Sequence, residues 1–182
     1  MPMRTRIYIR GYTLIELIVS VALFSIVMLV AGTAFLALIS LDRKARATND
    51  VVTNLSYVVD SMERSIRTGT TYNCGGIGDC WTTPRSSFSF LDSENRTIEY
   101  RLLVTGSKGQ IQQRINGGSW APLTDPRVDV ELLSFYARGT TPGDSVQPTV
   151  VLVLRGSLRP DPLSDPVEFV IESGATQRLI DI

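Results

Sequence analysis

From Leu17 to Leu41 the chain runs for 25 residues without a charged side chain. Coiled as a helix, this stretch extends about 37 Å, against roughly 30 Å of bilayer hydrocarbon. The core helix of a water-soluble protein seldom has such length. A secretory signal peptide has a shorter apolar region, about 7–15 residues, closed by a small-residue cleavage site. Here the run passes unbroken into a charged helical pattern, so it reads as a membrane span kept in the mature protein.

The polar boundary of this span is unusual. Glu16 stands one step before the apolar run, and no Lys, Arg or His lies between Gly11 and Asp42. An unpaired carboxylate near a membrane centre costs on the order of 3 kcal/mol. A cation would appear if the chain were cut after Gly11, giving Tyr12 a free α-amine. Tyr12 and Glu16 are one helical turn apart, and the amine of a neighbouring chain would serve equally well. Alternatively Glu16 sits at headgroup level with its carboxylate in water.

Arg10-Gly11-Tyr12-Thr13-Leu14-Ile15-Glu16-Leu17, behind a short leader with Arg4 and Arg6, resembles the class III signal of type IV prepilins. The resemblance implies that a prepilin peptidase in the membrane cuts between Gly11 and Tyr12 and N-methylates Tyr12. It implies further that Glu16 neutralises the N-terminal amine of an adjacent subunit as a filament assembles. Two departures stand out. Tyr12 replaces the usual Phe, and the span has Gly32-Thr33 but no helix-breaking Pro, unlike an abundant shaft subunit. Orientation also rests on the resemblance, because Arg43, Lys44 and Arg46 after the span nearly balance the three arginines before it.

Beyond the span, Leu41, Ala45, Thr48, Val52, Leu55, Val59, Met62 and Ile66 alternate at spacings of four and three, predicting one apolar stripe along a continuing helix. Arg67 suits the negative helix end and Gly69 supplies the stop. The helix over roughly 13–67 would be about 80 Å long. Its second half either pairs with another helix as a coiled coil or packs on the protein's own sheet. Ser86–Leu91, Thr97–Val104, Gln110–Ile115, Val128–Tyr136, Thr149–Leu154 and Val167–Ile171 read as strands, the last opening a strand or hairpin that ends near Ile180. Pro160, Pro162 and Pro166 mark a surface loop. The expected class is α+β, with a long N-terminal helix packed on an antiparallel β-sheet, the type IV pilin fold. The expected segments are a cleaved leader over 1–11, a span over 12–41, an amphipathic helix over 42–69 and a sheet domain over 70–182.

The order of these pieces is similar to PilW-type minor pilins and J-type pseudopilins. Ile98-Glu99-Tyr100-Arg101-Leu102, Ile111 to Arg114, Pro122-Leu123-Thr124-Asp125 and the helix segment Leu55–Arg67 resemble that group. The topmost subunit of a pseudopilus tip characteristically lacks the carboxylate that Glu16 supplies, which points to a position below it.

Composition excludes much other chemistry. With no histidine, the usual general base and metal ligand are missing, and Ser/His/Asp catalysis is excluded. The glycine-rich run 74–80 lacks the Lys-Ser/Thr end of a phosphate loop. Asp161 and Asp165 offer oxygen ligands of the kind calcium takes, or simply start turns beside prolines. Trp120, Tyr136, Arg114 and Arg138 make either an aromatic-basic patch for single-stranded DNA or ordinary hairpin positions. Setting aside the three leader arginines leaves 15 basic against 18 acidic side chains. That balance gives no bulk reason to bind nucleic acid.

The expected role is therefore structural, with no enzyme activity and no cofactor. A minor pilin or pseudopilin would enter a filament near its tip, with prepilin peptidase, other subunits, the assembly machinery and the bilayer as partners. It would be a single-pass inner-membrane protein with an extracytoplasmic C-terminal domain. A secretion pseudopilin of the J type, a DNA-uptake pilin and an anchored domain that never polymerises are the alternatives. Outside the membrane, Cys74 and Cys80 are expected to form a disulfide, because three glycines among the five intervening residues let the ends meet. Two free thiols or a metal site are the rival readings; a metal would need two further ligands.

Overall fold

The computed structural model describes residues 11–76, 78–141, 143–159 and 166–178. The leader arginines, Pro160, Pro162, Asp161, Asp165 and the expected strand end at Ile180 lie outside them. The chain divides into two compact units, Met1–Arg43 and Lys44–Ile182. One helix, α1 (Leu14–Thr68), is common to both. In the first unit every helical residue from Leu14 to Leu38 is exposed. An apolar surface of that kind belongs in lipid or against other protein.

In the second unit α1 buries Val51, Leu55, Val58, Val59, Met62 and Ile66. The expected stripe holds from Leu55 onward, but its phase differs before that. Val51 rather than Val52 faces the core; Val52 is 45% exposed, and Leu41 and Ala45 are exposed too. Both valines satisfy a three-four spacing, so periodicity could not choose between them.

Among the described residues eight strands follow: β1 (Thr70–Asn73), β2 (Ser87–Leu91), β3 (Thr97–Thr105), β4 (Lys108–Ile115), β5 (Ala121–Pro122), β6 (Val128–Arg138), β7 (Thr149–Leu158) and β8 (Val167–Thr176). They form two antiparallel sheets where the sequence suggested one. Strands β1 to β5 pair in sequence order, and β6, β7 and β8 make a separate three-stranded sheet. Alternation sends Phe88, Phe90, Ile98, Tyr100, Val130, Leu133, Phe135, Leu152 and Leu154 inward to one core shared with α1. Phe88 stacks on Phe135 at 5.1 Å, joining the sheets through their aromatic interior.

The backbone joins them as well. Arg85 and Phe135 form an isolated antiparallel bridge, and the Cys80 N–H donates to Ala137 O at 2.9 Å. At the turn into β4, the Gly109 N–H donates to Asp129 Oδ1 at 2.8 Å. A Cβ at Gly109 would collide with the Val130 carbonyl, so only glycine permits this approach. A register shift between Val130 and Leu132 marks a bulge in β6 at the same place.

Gly69 ends α1 for a different reason from the one the sequence suggested. It lies outside the left-handed region, and a side chain there would strike the Phe90 ring. At the helix end Ile66 O accepts from the Gly69 N–H at 3.0 Å and Arg67 O from the Arg178 N–H at 2.8 Å, while the single proton of the Tyr72 hydroxyl is shared between Ile66 O at 2.7 Å and Gly69 O at 2.8 Å.

Candidate functional site

Gly11, Tyr12 and Thr13 precede α1 as exposed, non-helical chain, and no neighbour lies within 4 Å of a Cβ placed on Gly11. Exposed, non-helical chain of this kind is where proteases cut most readily. Helix begins at Leu14, and the Glu16 N–H donates to Thr13 Oγ1 at 3.3 Å. Thr13 is thus the N-cap, and Glu16 occupies the third helical position. The tetrad Thr13-Leu14-Ile15-Glu16 has the form of a capping box. Its carboxylate also stands at the positive end of the helix dipole. Sequence reasoning missed this local role for Glu16, although the threonine-to-glutamate spacing spells it out.

The polar atoms farther along the span are bound internally. The hydroxyls of Ser20, Ser25, Thr33 and Ser40 donate to the carbonyls of Glu16, Val21, Val30 and Ala37, three or four residues back, at 2.7–2.9 Å. Lipid accepts no hydrogen bonds from such groups, so this arrangement suits a helix surrounded by hydrocarbon. The helix is long and apolar enough to cross a membrane.

Residues 7–32 match the family model described as the prokaryotic N-terminal methylation motif. The match supports a type IV prepilin-like N-terminus. The matched segment takes in the Gly11–Tyr12 bond, the capped start of α1, Glu16 and about two thirds of the span. The single apolar helix behind this signal fits a single-pass membrane protein. No curated protein and no solved structure matches the chain.

Past the helix, Cys74 and Cys80 are joined in a disulfide, with an S–S distance of 2.03 Å, and both are buried. Asn73 Oδ1 accepts from the N–H groups of Gly75 and Gly76 at 2.7 and 3.2 Å, shaping the start of the loop. Asp79 closes the other side. Its carboxylate accepts from the Gly139 N–H at 3.1 Å and from the Thr140 N–H and hydroxyl, each at 2.9 Å. Desolvation works against the charged form, but these hydrogen bonds outweigh it and hold the Asp79 carboxyl below the ordinary range. The disulfide loop therefore ties the chain leaving α1 to the end of β6. The sequence suggested the bridge; the anchoring by Asp79 needed the fold.

The four residues considered for DNA separate into two clusters. Trp120 packs against the guanidinium groups of Arg101 and Arg114, 3.8 and 4.6 Å from its ring centroid. Arg114 in turn makes a two-point contact with Glu99 at 2.6 and 2.8 Å, and Arg101 donates to Gln112 Oε1 at 2.9 Å. Tyr136 instead meets Trp81 edge-on, with Arg138 over the Trp81 ring at 5.3 Å. Cations already cover Trp120, and Arg114 is already paired with a carboxylate. This is the geometry of a cross-strand structural cluster.

Proposed function

We propose that this chain is a minor pilin or pseudopilin of the kind the PilW-type and J-type groups represent. In this reading prepilin peptidase removes residues 1–11 and methylates Tyr12. The product waits in the inner membrane with residues 42–182 outside the cytoplasm. Assembly machinery then draws it into a filament near the tip, where subunit helices replace lipid around residues 12–41. Glu16 pairs with a neighbour's α-amine and fixes axial register. The role is structural, and no residue is assigned to catalysis.

The observation that carries this reading is the methylation motif over 7–32, opening directly into a 55-residue helix with Glu16 in its first turn. The α+β body behind it, with helix and sheets sharing one core, supports the same reading.

Mass spectrometry of the membrane-extracted protein tests it. The expected product begins at N-methyl-Tyr12, and a bulky residue at Gly11 leaves the precursor uncut. An intact leader in cells with active peptidase would instead describe an anchored domain that never polymerises. Recovery of the processed chain from purified filaments, with its neighbouring subunits, completes the test.

A further inference from the structure

The edges of the two sheets are treated differently. The five-stranded sheet ends in β1, of four residues, and β5, of two, and such short edges offer little to a stray strand. In the three-stranded sheet, β6 has its outer edge engaged by the Arg85 bridge, the Cys80 N–H and the Gly109 turn. Strand β8 is different. It runs ten residues in unbroken register with β7, with no bulge, lysine or proline inside it. Among the described residues no strand pairs with its far side. In an antiparallel strand, alternate residues direct their N–H and C=O groups away from the existing partner. A long, regular edge of this kind is a template for another strand.

The side chains of β8 indicate what that strand carries. Phe169, Ile171 and Ala175 face the core, and the Ser173 hydroxyl donates to Glu63 Oε2 on α1 at 2.8 Å. The other face presents Glu168, Val170 and Glu172 to solvent, with Val170 70% exposed. Among the described residues no ion pair engages either glutamate. Cross-strand neighbours stabilise a sheet when charges are opposite and apolar groups meet, and like charges opposed destabilise it. A second copy of β8 would bring four carboxylates onto one face of a two-strand ribbon. The inner strand β7 offers only Arg155 there, itself 3.6 Å from Glu131.

We infer that β8 accepts, by edge-to-edge pairing, a β-strand of a different subunit that presents cations opposite Glu168 and Glu172 and an apolar residue opposite Val170. This inference rests on the filament reading above. Such pairing would let the globular body select its neighbour, adding to whatever the helices contribute.

Amide hydrogen exchange tests it, comparing purified filaments with the full chain held in detergent micelles. The expected result is exchange across β8 slowed at least about tenfold in filaments, as newly paired edge amides close. The double variant Glu168→Lys/Glu172→Lys alters only exposed side chains, and should fold normally while its share in filaments falls about tenfold. Unchanged β8 exchange, or a double variant incorporated like wild type, overturns the inference and leaves the chain a filament subunit. Self-association of the detergent-held chain through β8 overturns the choice of partner. Absence of the chain from every filament overturns both this inference and the reading beneath it.

Discussion

Replacing Glu16 by Gln tests the proposed charge pairing apart from the residue's place in the helix cap. As the third residue of α1, Glu16 belongs to a cap whose observed bond is the 3.3 Å contact from its own N–H to Thr13 Oγ1. Removing such a cap costs about 1 kcal/mol, and glutamine serves nearly as well as glutamate at this position. In the assembled filament the same carboxylate would face a neighbour's α-amine in a low-dielectric setting. Leaving an ion unpaired there costs on the order of 3 kcal/mol, which is roughly a hundredfold in occupancy. The two roles therefore predict opposite rankings. With co-expressed wild type as internal standard, Glu16→Gln and Glu16→Ala should both be processed normally yet be depleted from purified filaments by about two orders of magnitude. Thr13→Ala, which removes the cap and keeps the charge, should be depleted by less than about tenfold. Quantitative mass spectrometry of signature peptides reads the ratio. If Glu16→Gln enters filaments as wild type does, the charge is unimportant and the carboxylate serves only the helix terminus or the headgroup layer.

Three further outcomes concern the globular unit. Tyr72→Phe removes the hydroxyl whose proton is shared between Ile66 O and Gly69 O, and should lower stability by about 1–2 kcal/mol in urea denaturation, with faster amide exchange in the last turn of α1. Asp79→Asn should be less stable than wild type at neutral pH, and the gap should close on acidification. Because the folded-state value is depressed, the carboxylate's contribution is complete above its ordinary pKa of about 3.9 and is lost as pH falls through the lower folded value; a gap independent of pH would contradict this. The Cys74–Cys80 bridge should resist alkylation until reductant is added, and Cys74→Ala/Cys80→Ala should cost roughly 2 kcal/mol by the chain-entropy relation; labelling of both thiols in the unreduced protein would refute the pairing.

The features most legible in the sequence were those set by local physics. A charge-free run, a three-four stripe and β-branched segments between turn residues each declare themselves within a short window; β2, β3, β4 and β6 end within two residues of their expected limits, whereas β7 and β8 run four and five residues further. The division into two sheets was hidden, because alternation tells which face of a strand is buried and not which strand lies beside it. The Phe88–Phe135 stack and the Gly109 approach that join the sheets are decided by residues far apart in sequence. The short strands β1 and β5 carry too few residues for any pattern. Arg101 and Glu99 were visible as alternating strand residues, but their service to Trp120 and Arg114 depends on hairpin register, with Glu99 opposite Arg114 and Arg101 opposite Gln112. The bare edge of β8 belongs to the same class, since an edge is defined by what fails to pair with it.

The self-contained hydroxyls of the N-terminal helix have a consequence for reversibility. Ser20, Ser25, Thr33 and Ser40 satisfy their donors within their own helix, so none of the four depends on a neighbour. A segment built this way is nearly indifferent to whether hydrocarbon tails or other helices surround it. Exchanging one environment for the other breaks no hydrogen bond, leaving packing and the single charge at its end to set the balance. On the proposed function, such a helix would lose none of these four hydrogen bonds in passing between bilayer and filament, in either direction.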